Sequence, residues 1–368
     1  MLVKNNYDDC LTNLACSIQK YFGIKPKHNT MPYIDELLQE KKPQNVILML
    51  FDGMGSRILD RTLGKDTFFG KNKKKEITSV FPATTTAATT SIRTGRNPIE
   101  HGWLGWNMYM VPIDKTITLF RNKEKGKDEI SEEFLKVKDK LLQRTIVDEI
   151  NENTPYCAME LFPFGENKYN DLDEMLEIIE KECSKEGKRY IYAYDDEPDH
   201  TMHDFGIEDS KVKELIEIRN NKVEQLCYKL KDSIVIIVAD HGHKKVEPIF
   251  LKDYPKIMEM LERTTSIEQR AVSFKIKKEK KEQFVKEFNQ NFGKDFSLYS
   301  QSEIIEAHLF GEGEENELFR EAIGDFMAIA ENSNKCIITD GDKVVKSQHA
   351  GYTEDEIYVP LIVVDKCS

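Results

Sequence analysis

Aspartate and histidine side chains recur close behind short apolar runs in this sequence of 368 residues. Five of them stand out, namely Asp52, Asp199, His203, Asp240 and His241, and a further histidine, His349, lies in the loop before the last apolar run. Carboxylate and imidazole donors without thiolates suit divalent ions such as Zn²⁺ or Mn²⁺. Each residue alone is better explained as a turn residue, a helix cap or a packed side chain. Their joint recurrence therefore indicates a metal site more strongly than any single member does.

A second segment whose residues could take part in catalysis runs from Val80 to Ser91 and reads VFPATTTAATTS. Pro82 ends the preceding strand, and the small residues behind it predict the start of a helix. The N-terminus of a helix presents free amides that favour an anion. A hydroxyl held there can act as a nucleophile if a metal lowers its pKa. An ordinary helix cap followed by a threonine-rich helix explains the same composition.

The elements that must position these side chains are short runs that are apolar on both faces. They are Val46–Phe51, Tyr190–Tyr194, Ile234–Ala239 and Tyr358–Val364. Such runs are typical of strands in a covered parallel sheet. Helical patterns lie between them, at Asp171–Cys183 and Asp209–Leu230. The alternation predicts an α/β fold with a doubly wound, mostly parallel sheet flanked by helices. In such sheets, ligands bind beyond the carboxyl ends of the strands.

The alternation is interrupted between residues 246 and 335, which we interpret as an inserted α+β subdomain or cap. Ala271–Ile276 reads as a strand there, Lys278–Asn291 as an amphipathic helix, and Ser300 with Glu303 as a capping box. The predicted organisation is a helical N-terminal extension (1–42), a catalytic core (43–245 and 336–368) and this insertion.

The amino-acid composition argues against some kinds of partner and bears on the cellular compartment. The 53 basic and 65 acidic residues give a net charge of −12, which argues against binding to long nucleic acid. The longest apolar runs are far shorter than the roughly 20 residues of a membrane-spanning helix, so no membrane association is expected. Seven scattered cysteines without a CxxC pair, and an acidic N-terminus, lead us to expect a cytoplasmic protein.

Five segments, taken in order, resemble the alkaline phosphatase superfamily. They are LMLFDGMG, SVFPATTTAATTSIRTGRNPIEHG, EPDHTMH, VADHGH and QHAGYTEDE. Within that superfamily they are most similar to the type I phosphodiesterase/nucleotide pyrophosphatase family. The resemblance covers about residues 45–243 and 335–364.

The resemblance implies an enzyme that cleaves phosphoric ester or pyrophosphate bonds on two divalent metal ions, Zn²⁺ or Mn²⁺, through a phosphothreonine intermediate. Its nucleophile is the Thr three residues after the Pro of the FP motif, which is Thr85. It also implies two sets of ligands: Asp199, His203 and His349 for one ion, and Asp52, Asp240, His241 and the Thr85 oxygen for the other. His243 lies inside a matched motif but outside these sets, so it is expected to support a ligand or the fold.

The substrate is less well determined, because the family pattern leads us to expect an Asn three residues after the nucleophile, where this chain has Ala88. Thr86, Thr89 or Asn107 could supply a hydrogen bond instead. Trp106 could stack on a base or pack beneath its loop. The expected partner is a small, nucleotide-like phosphorylated substrate. A phosphomonoesterase, phosphomutase or phosphonate hydrolase on the same scaffold is the alternative, and a non-catalytic binding module is a third.

Overall fold

The computed structural model describes residues 5–142, 144–165 and 167–367. The strands are β1 (Asn45–Phe51), β2 (Lys73–Thr78), β3 (Asn107–Met110), β4 (Lys115–Thr118), β5 (Lys123–Glu124), β6 (Cys157–Leu161), β7 (Arg189–Asp195), β8 (Ser233–Val238), β9 (Lys244–Lys245), β10 (Glu247–Phe250), β11 (Ser266–Ile267), β12 (Ala271–Phe274), β13 (Ser297–Ser300), β14 (Phe326–Ile329), β15 (Lys335–Ile338), β16 (Ser347–Gln348) and β17 (Tyr358–Cys367). The α-helices are α1 (Leu11–Tyr21), α2 (Pro32–Lys41), α3 (Ser56–Thr62), α4 (Phe68–Asn72), α5 (Thr85–Thr94), α6 (Pro98–His101), α7 (Glu132–Leu135), α8 (Ile146–Asn153), α9 (Leu172–Cys183), α10 (Asp199–Phe205), α11 (Ser210–Lys229), α12 (Pro255–Met260), α13 (Lys281–Phe292), α14 (Gln301–Glu306), α15 (Phe319–Ile323) and α16 (Glu354–Ile357).

The main sheet has six strands in the order β2-β17-β8-β1-β7-β6. β1 pairs in parallel with β7 and β8, and β6 pairs in parallel with β7. Every residue of β1, β7 and β8 is buried, because helices cover both faces. The expected α/β fold with a mostly parallel sheet is confirmed.

The last strand runs against the others. β17 pairs antiparallel with both β2 and β8, so the apolar run at Tyr358–Val364 does not continue the parallel pattern. Periodicity cannot reveal direction, since a strand buried on both faces looks the same either way. The reversal has a consequence for the site: the loop that precedes β17 arrives at the edge where the parallel strands end.

Helix α1, in the predicted N-terminal extension, is part of the hydrophobic core. Residues 11–19 of α1 are buried, and Leu11, Leu14, Ala15 and Ile18 join the same core cluster as the main sheet. Their helical spacing forms one apolar face. The helix packs on α5, where the side-chain amide of Gln19 donates to the carbonyl of Thr94 at 3.5 Å.

A second, antiparallel sheet has seven strands in the order β13-β14-β12-β11-β3-β4-β5. Four of its strands come from residues 246–335, and three come from residues 107–124. The predicted strand, helix and capping box of this stretch appear as β12, α13 and the start of α14. The proposed division into three parts remains a prediction. The sheet shows how residues 246–335 reach the site, because β11 pairs with β3.

Candidate metal centre and active site

The carboxyl edge of the main sheet collects the predicted ligands. Asp52 follows β1 directly, and Asp240 lies two residues after β8. Asp199 begins α10, which follows β7. His349 lies in the loop between β16 and α16 that leads into the reversed strand β17, so it joins the other ligands from the far end of the chain.

Four side chains form a first cluster whose spacings fit a single ion. Thr85 Oγ1 lies 3.3 and 3.4 Å from the two Asp52 carboxylate oxygens and 3.2 Å from His241 Nε2. His241 Nε2 is 3.3 Å from Asp52 Oδ1 and 3.5 Å from Asp240 Oδ2. Two donors on one tetrahedral ion at about 2.0–2.1 Å are about 3.3 Å apart. The structure therefore brings together the Asp52, Thr85, Asp240 and His241 set.

A second cluster lies beside the first. Asp199 Oδ2 is 3.4 Å from His203 Nε2, and His349 Nε2 is 4.0 Å from Asp199 Oδ1. The donor atoms of Asp199, His203, His349 and additionally His243 all lie within 4.8 Å of one another. The rings of His241 and His349 stack with their centroids 3.8 Å apart and join the two clusters.

The histidines are oriented as metal ligands usually are, with one ring nitrogen held by an oxygen and the other directed inward. Nδ1 of His203 lies 2.8 Å from the Ser347 carbonyl, and Nδ1 of His349 lies 3.3 Å from the Ala83 carbonyl. Nδ1 of His241 lies 3.1 Å from the Gly242 carbonyl.

Three buried carboxylates at close quarters require positive charge. Burial and the charge of Asp199 raise the pKa of Asp52 well above its usual range, and burial and the charge of Asp52 do the same to the pKa of Asp240. Burial also acts to raise the pKa of Asp199, but His203 and His243 outweigh it and hold that pKa well below its usual range. Asp240 Oδ2 is buried without a hydrogen-bond partner among the described residues. This donor set fits two divalent cations, and its chemistry does not choose between Zn²⁺ and Mn²⁺.

The predicted nucleophile begins helix α5, with Thr84 as the N-cap. Thr85 is only 6% exposed, and this exposed part faces a cavity of about 580 Å³ that is also lined by Asp199, His203 and His349. A hydroxyl at a helix N-terminus, beside two clusters of side chains that could hold divalent ions, lies where an anionic ligand is favoured.

The predicted substrate contacts divide into two groups. Trp106 and Asn107 line the cavity. Asn107 Oδ1 accepts a hydrogen bond from Thr118 at 2.7 Å, which leaves its side-chain amide available. Thr86 and Thr89 do not line the cavity, and Thr89 donates its hydroxyl to the Thr85 carbonyl at 2.6 Å. These two threonines are therefore not placed to contact a substrate there.

Two contacts of the site were missed by reasoning on sequence. The Tyr194 hydroxyl donates to Asp52 Oδ2 in a short hydrogen bond. Glu268, from the predicted insertion, accepts from the Thr84 hydroxyl at 2.6 Å and from the Trp106 amide at 2.7 Å. Tyr194 ends the predicted strand Tyr190–Tyr194, and its place at the carboxyl end of a strand could have indicated that it lies close to the site. Nothing in the sequence distinguishes Glu268 from other glutamates.

Part of the cavity lining is basic, although the whole chain carries a net charge of −12. Arg121 and Lys123 line it, and neither forms an ion pair with any described residue. By contrast, the neighbouring Lys125 pairs with Asp342 at 2.8 Å. The Arg121 guanidinium lies 5.7 Å from the Trp106 ring centroid. This part of the lining is suited to an anionic ligand.

No helix within the described residues is long and apolar enough to cross a membrane.

The chain was compared with known proteins. Among solved structures it is similar to murine ectonucleotide pyrophosphatase/phosphodiesterase 5, with a TM-score of 0.64, 17% identity, and coverage of 86% of this chain and 87% of that one. An inactive form of the murine protein in complex with AMP matches with a TM-score of 0.63, 17% identity and the same coverage. The human protein also gives a TM-score of 0.63, at 16% identity and the same coverage. At these identities the likeness shows the fold alone.

No curated protein matches this chain in sequence. Residues 46–353 match the family described as type I phosphodiesterase/nucleotide pyrophosphatase. The match runs from the first strand of the main sheet to the loop that carries His349, and so contains every predicted ligand. The chain therefore belongs to the type I phosphodiesterase/nucleotide pyrophosphatase family of hydrolases.

Proposed function

We propose that this chain hydrolyses phosphodiester or pyrophosphate bonds in a small nucleotide-type substrate, with Thr85 as the nucleophile and two divalent ions, Zn²⁺ or Mn²⁺, in the site. The observation that carries the proposal is the position of Thr85 Oγ1, which lies 3.2–3.4 Å from Asp52 and His241 and faces the cavity.

The chemistry proceeds in two displacements. Ions bound there would neutralise the phosphate oxygens and lower the pKa of the Thr85 hydroxyl. Thr85 Oγ1 attacks phosphorus, its proton passes to solvent, and the bond to the leaving alcohol or phosphate breaks. Water then attacks the phosphothreonine, which releases Thr85 and the second product. The start of α5 orients the anion through its free amides.

Two features support a nucleotide-type substrate. The cavity has an aromatic side chain, Trp106, beside the basic side chains Arg121 and Lys123. A base or aryl group and further phosphates would find complementary partners there. The murine relative of similar fold was solved in its inactive form with AMP.

The experiment compares bis-p-nitrophenyl phosphate and p-nitrophenyl phosphate on metal-free protein reconstituted with Zn²⁺ or Mn²⁺, with Thr85→Ala as the control. Preference for the diester supports the proposal and leads to dinucleotides and nucleoside triphosphates as the next substrates. Preference for the monoester would replace it with a phosphatase or mutase. Inactivity of the wild type on all of these substrates would contradict it.

A further inference from the structure

His243 is a buried histidine of the site that belongs to neither predicted ligand set. Its Nε2 atom lies 2.5 Å from Asp199 Oδ1, and its Nδ1 atom lies 3.1 Å from Ser347 Oγ. We propose that His243 is a positioning residue that holds Asp199 in place for the metal through a hydrogen bond to Oδ1, and is not itself a ligand. The inference deepens the proposed function and rests on the metal centre described there.

The distances from Asp199 to its two histidine neighbours decide whether His243 is a metal ligand or a positioning residue. Donors that share one ion at about 2.0–2.1 Å are about 3.3 Å apart, and Asp199 Oδ2 and His203 Nε2, at 3.4 Å, meet that spacing. The 2.5 Å between His243 and Asp199 is too short for two ligands of one ion. A contact this close instead joins a hydrogen-bond donor to its acceptor, and hydrogen bonds to an ionised carboxylate are shorter and stronger than neutral ones.

The other side of the His243 ring is braced as well. The Ser347 hydroxyl oxygen lies 3.1 Å from His243 Nδ1 and 2.6 Å from the Met202 carbonyl, and its single hydrogen can be donated to only one of them. The backbone carbonyl of the same Ser347 lies 2.8 Å from His203 Nδ1. One residue thus supports the ligand His203 directly and the ligand Asp199 through His243. One ring nitrogen of His243 faces Asp199 Oδ1 and the other faces Ser347 Oγ, so neither is directed at a metal position.

Close packing fixes the position of the His243 ring. It is completely buried, and its ring centroid lies 4.8 Å from that of His203 and 5.3 Å from that of His349. Outer partners of this kind orient the ligating oxygen of a carboxylate, and their loss typically weakens metal binding about 10–100-fold.

The test measures metal binding without turnover. His243→Ala and His243→Gln are titrated with Zn²⁺ against a chromogenic chelator, and their Co²⁺ forms are compared by absorption spectroscopy. The Gln amide can still donate to Asp199. We expect Ala to weaken one of two Zn²⁺ sites by about 10–100-fold, and Gln to stay within a few-fold of wild type with an unchanged Co²⁺ spectrum. The exposed His308→Gln is the matched control.

The opposite results overturn the inference. If Gln loses one Zn²⁺ per chain or changes the Co²⁺ spectrum as Ala does, His243 is a ligand. If Ala binds both ions as tightly as wild type, His243 has no positioning role. Should Ala fail to fold, Ser347→Ala removes the brace and must weaken Zn²⁺ binding. An inactive wild type that binds two ions and shows the expected variant pattern would contradict the proposed function but leave the role of His243 intact.

Discussion

Thr85 Oγ1 lies 3.2 Å from Nε2 of His241, although 156 residues separate the two along the chain. The contact exists because β2 and β8 both end at the same edge of the main sheet, so α5 and the loop after β8 start side by side. It places the only predicted nucleophile against a predicted metal ligand. The mechanism proposed for the chain depends on this relationship.

Removal of the Thr85 hydroxyl should abolish turnover but spare the metals. Thr85→Ala is expected to lower kcat by at least about 10³-fold, because among the described residues only the Thr85 hydroxyl contacts both Asp52 and His241. Thr85→Ser should keep measurable activity. The measurement is steady-state hydrolysis together with metal content by elemental analysis, and wild-type turnover in the Ala variant would refute the assignment.

Tyr194→Phe should weaken metal binding with little effect on the fold. The tyrosine hydroxyl donates to Asp52 Oδ2, and its loss frees that carboxylate to rotate away from the ion. We expect the affinity for one of the two Zn²⁺ ions to fall about 10-fold or more. Chelator competition measures it. Tyr192→Phe, on the same strand, is a matched control, since the described residues include no hydrogen-bond partner for the Tyr192 hydroxyl; equal affinity in the two variants would contradict the prediction.

Glu268 should make stability depend on pH. Burial raises the pKa of Glu268 to about 7, against 4.5 for an ordinary glutamate. The folded state therefore holds the proton more tightly than the unfolded state, and the stability that this provides is lost as the pH rises from about 4.5 to about 7. Glu268→Gln cannot ionise and keeps an acceptor for Thr84 and Trp106.

The stability of Glu268→Gln relative to wild type should therefore increase between about pH 5 and pH 8, by up to about 3 kcal/mol. Urea unfolding of both proteins in the metal-free state at the two pH values measures it. The exposed Glu40→Gln serves as the control. A difference between Glu268→Gln and wild type that does not change with pH would show that Glu268 ionises as freely in the folded chain as in the unfolded one.

Loss of the Lys123 charge should raise KM most for highly charged substrates. Lys123→Gln removes an unpaired cation from the cavity wall, so we expect KM for a nucleoside triphosphate to rise several-fold while KM for bis-p-nitrophenyl phosphate changes little. The effect should shrink at high salt. Lys74→Gln, an exposed lysine outside the cavity, is the comparison. Equal changes for both substrates would mean that Lys123 does not contact the additional phosphates.

Much of the fold could be predicted because the signals are local. β1 and β8 are runs of buried apolar residues, and Asp171, Asp209 and Ser300 are N-caps at the predicted helix starts. The direction of β17 and the burial of α1 were not accessible in this way, because they depend on which surfaces those segments meet.

The sequence by itself determined which chemistry the site can perform. It sets the carboxylates, imidazoles and hydroxyl, and it places most of them just behind strands or at helix starts, whose positions follow from hydrophobic patterning. Only the tertiary structure decided how the site is supported. Tyr194 reaches Asp52 across 142 residues, and Glu268 reaches Thr84 across 184. Hydrogen bonds of this kind join side chains that no local pattern relates, because they arise only once separate elements have packed together.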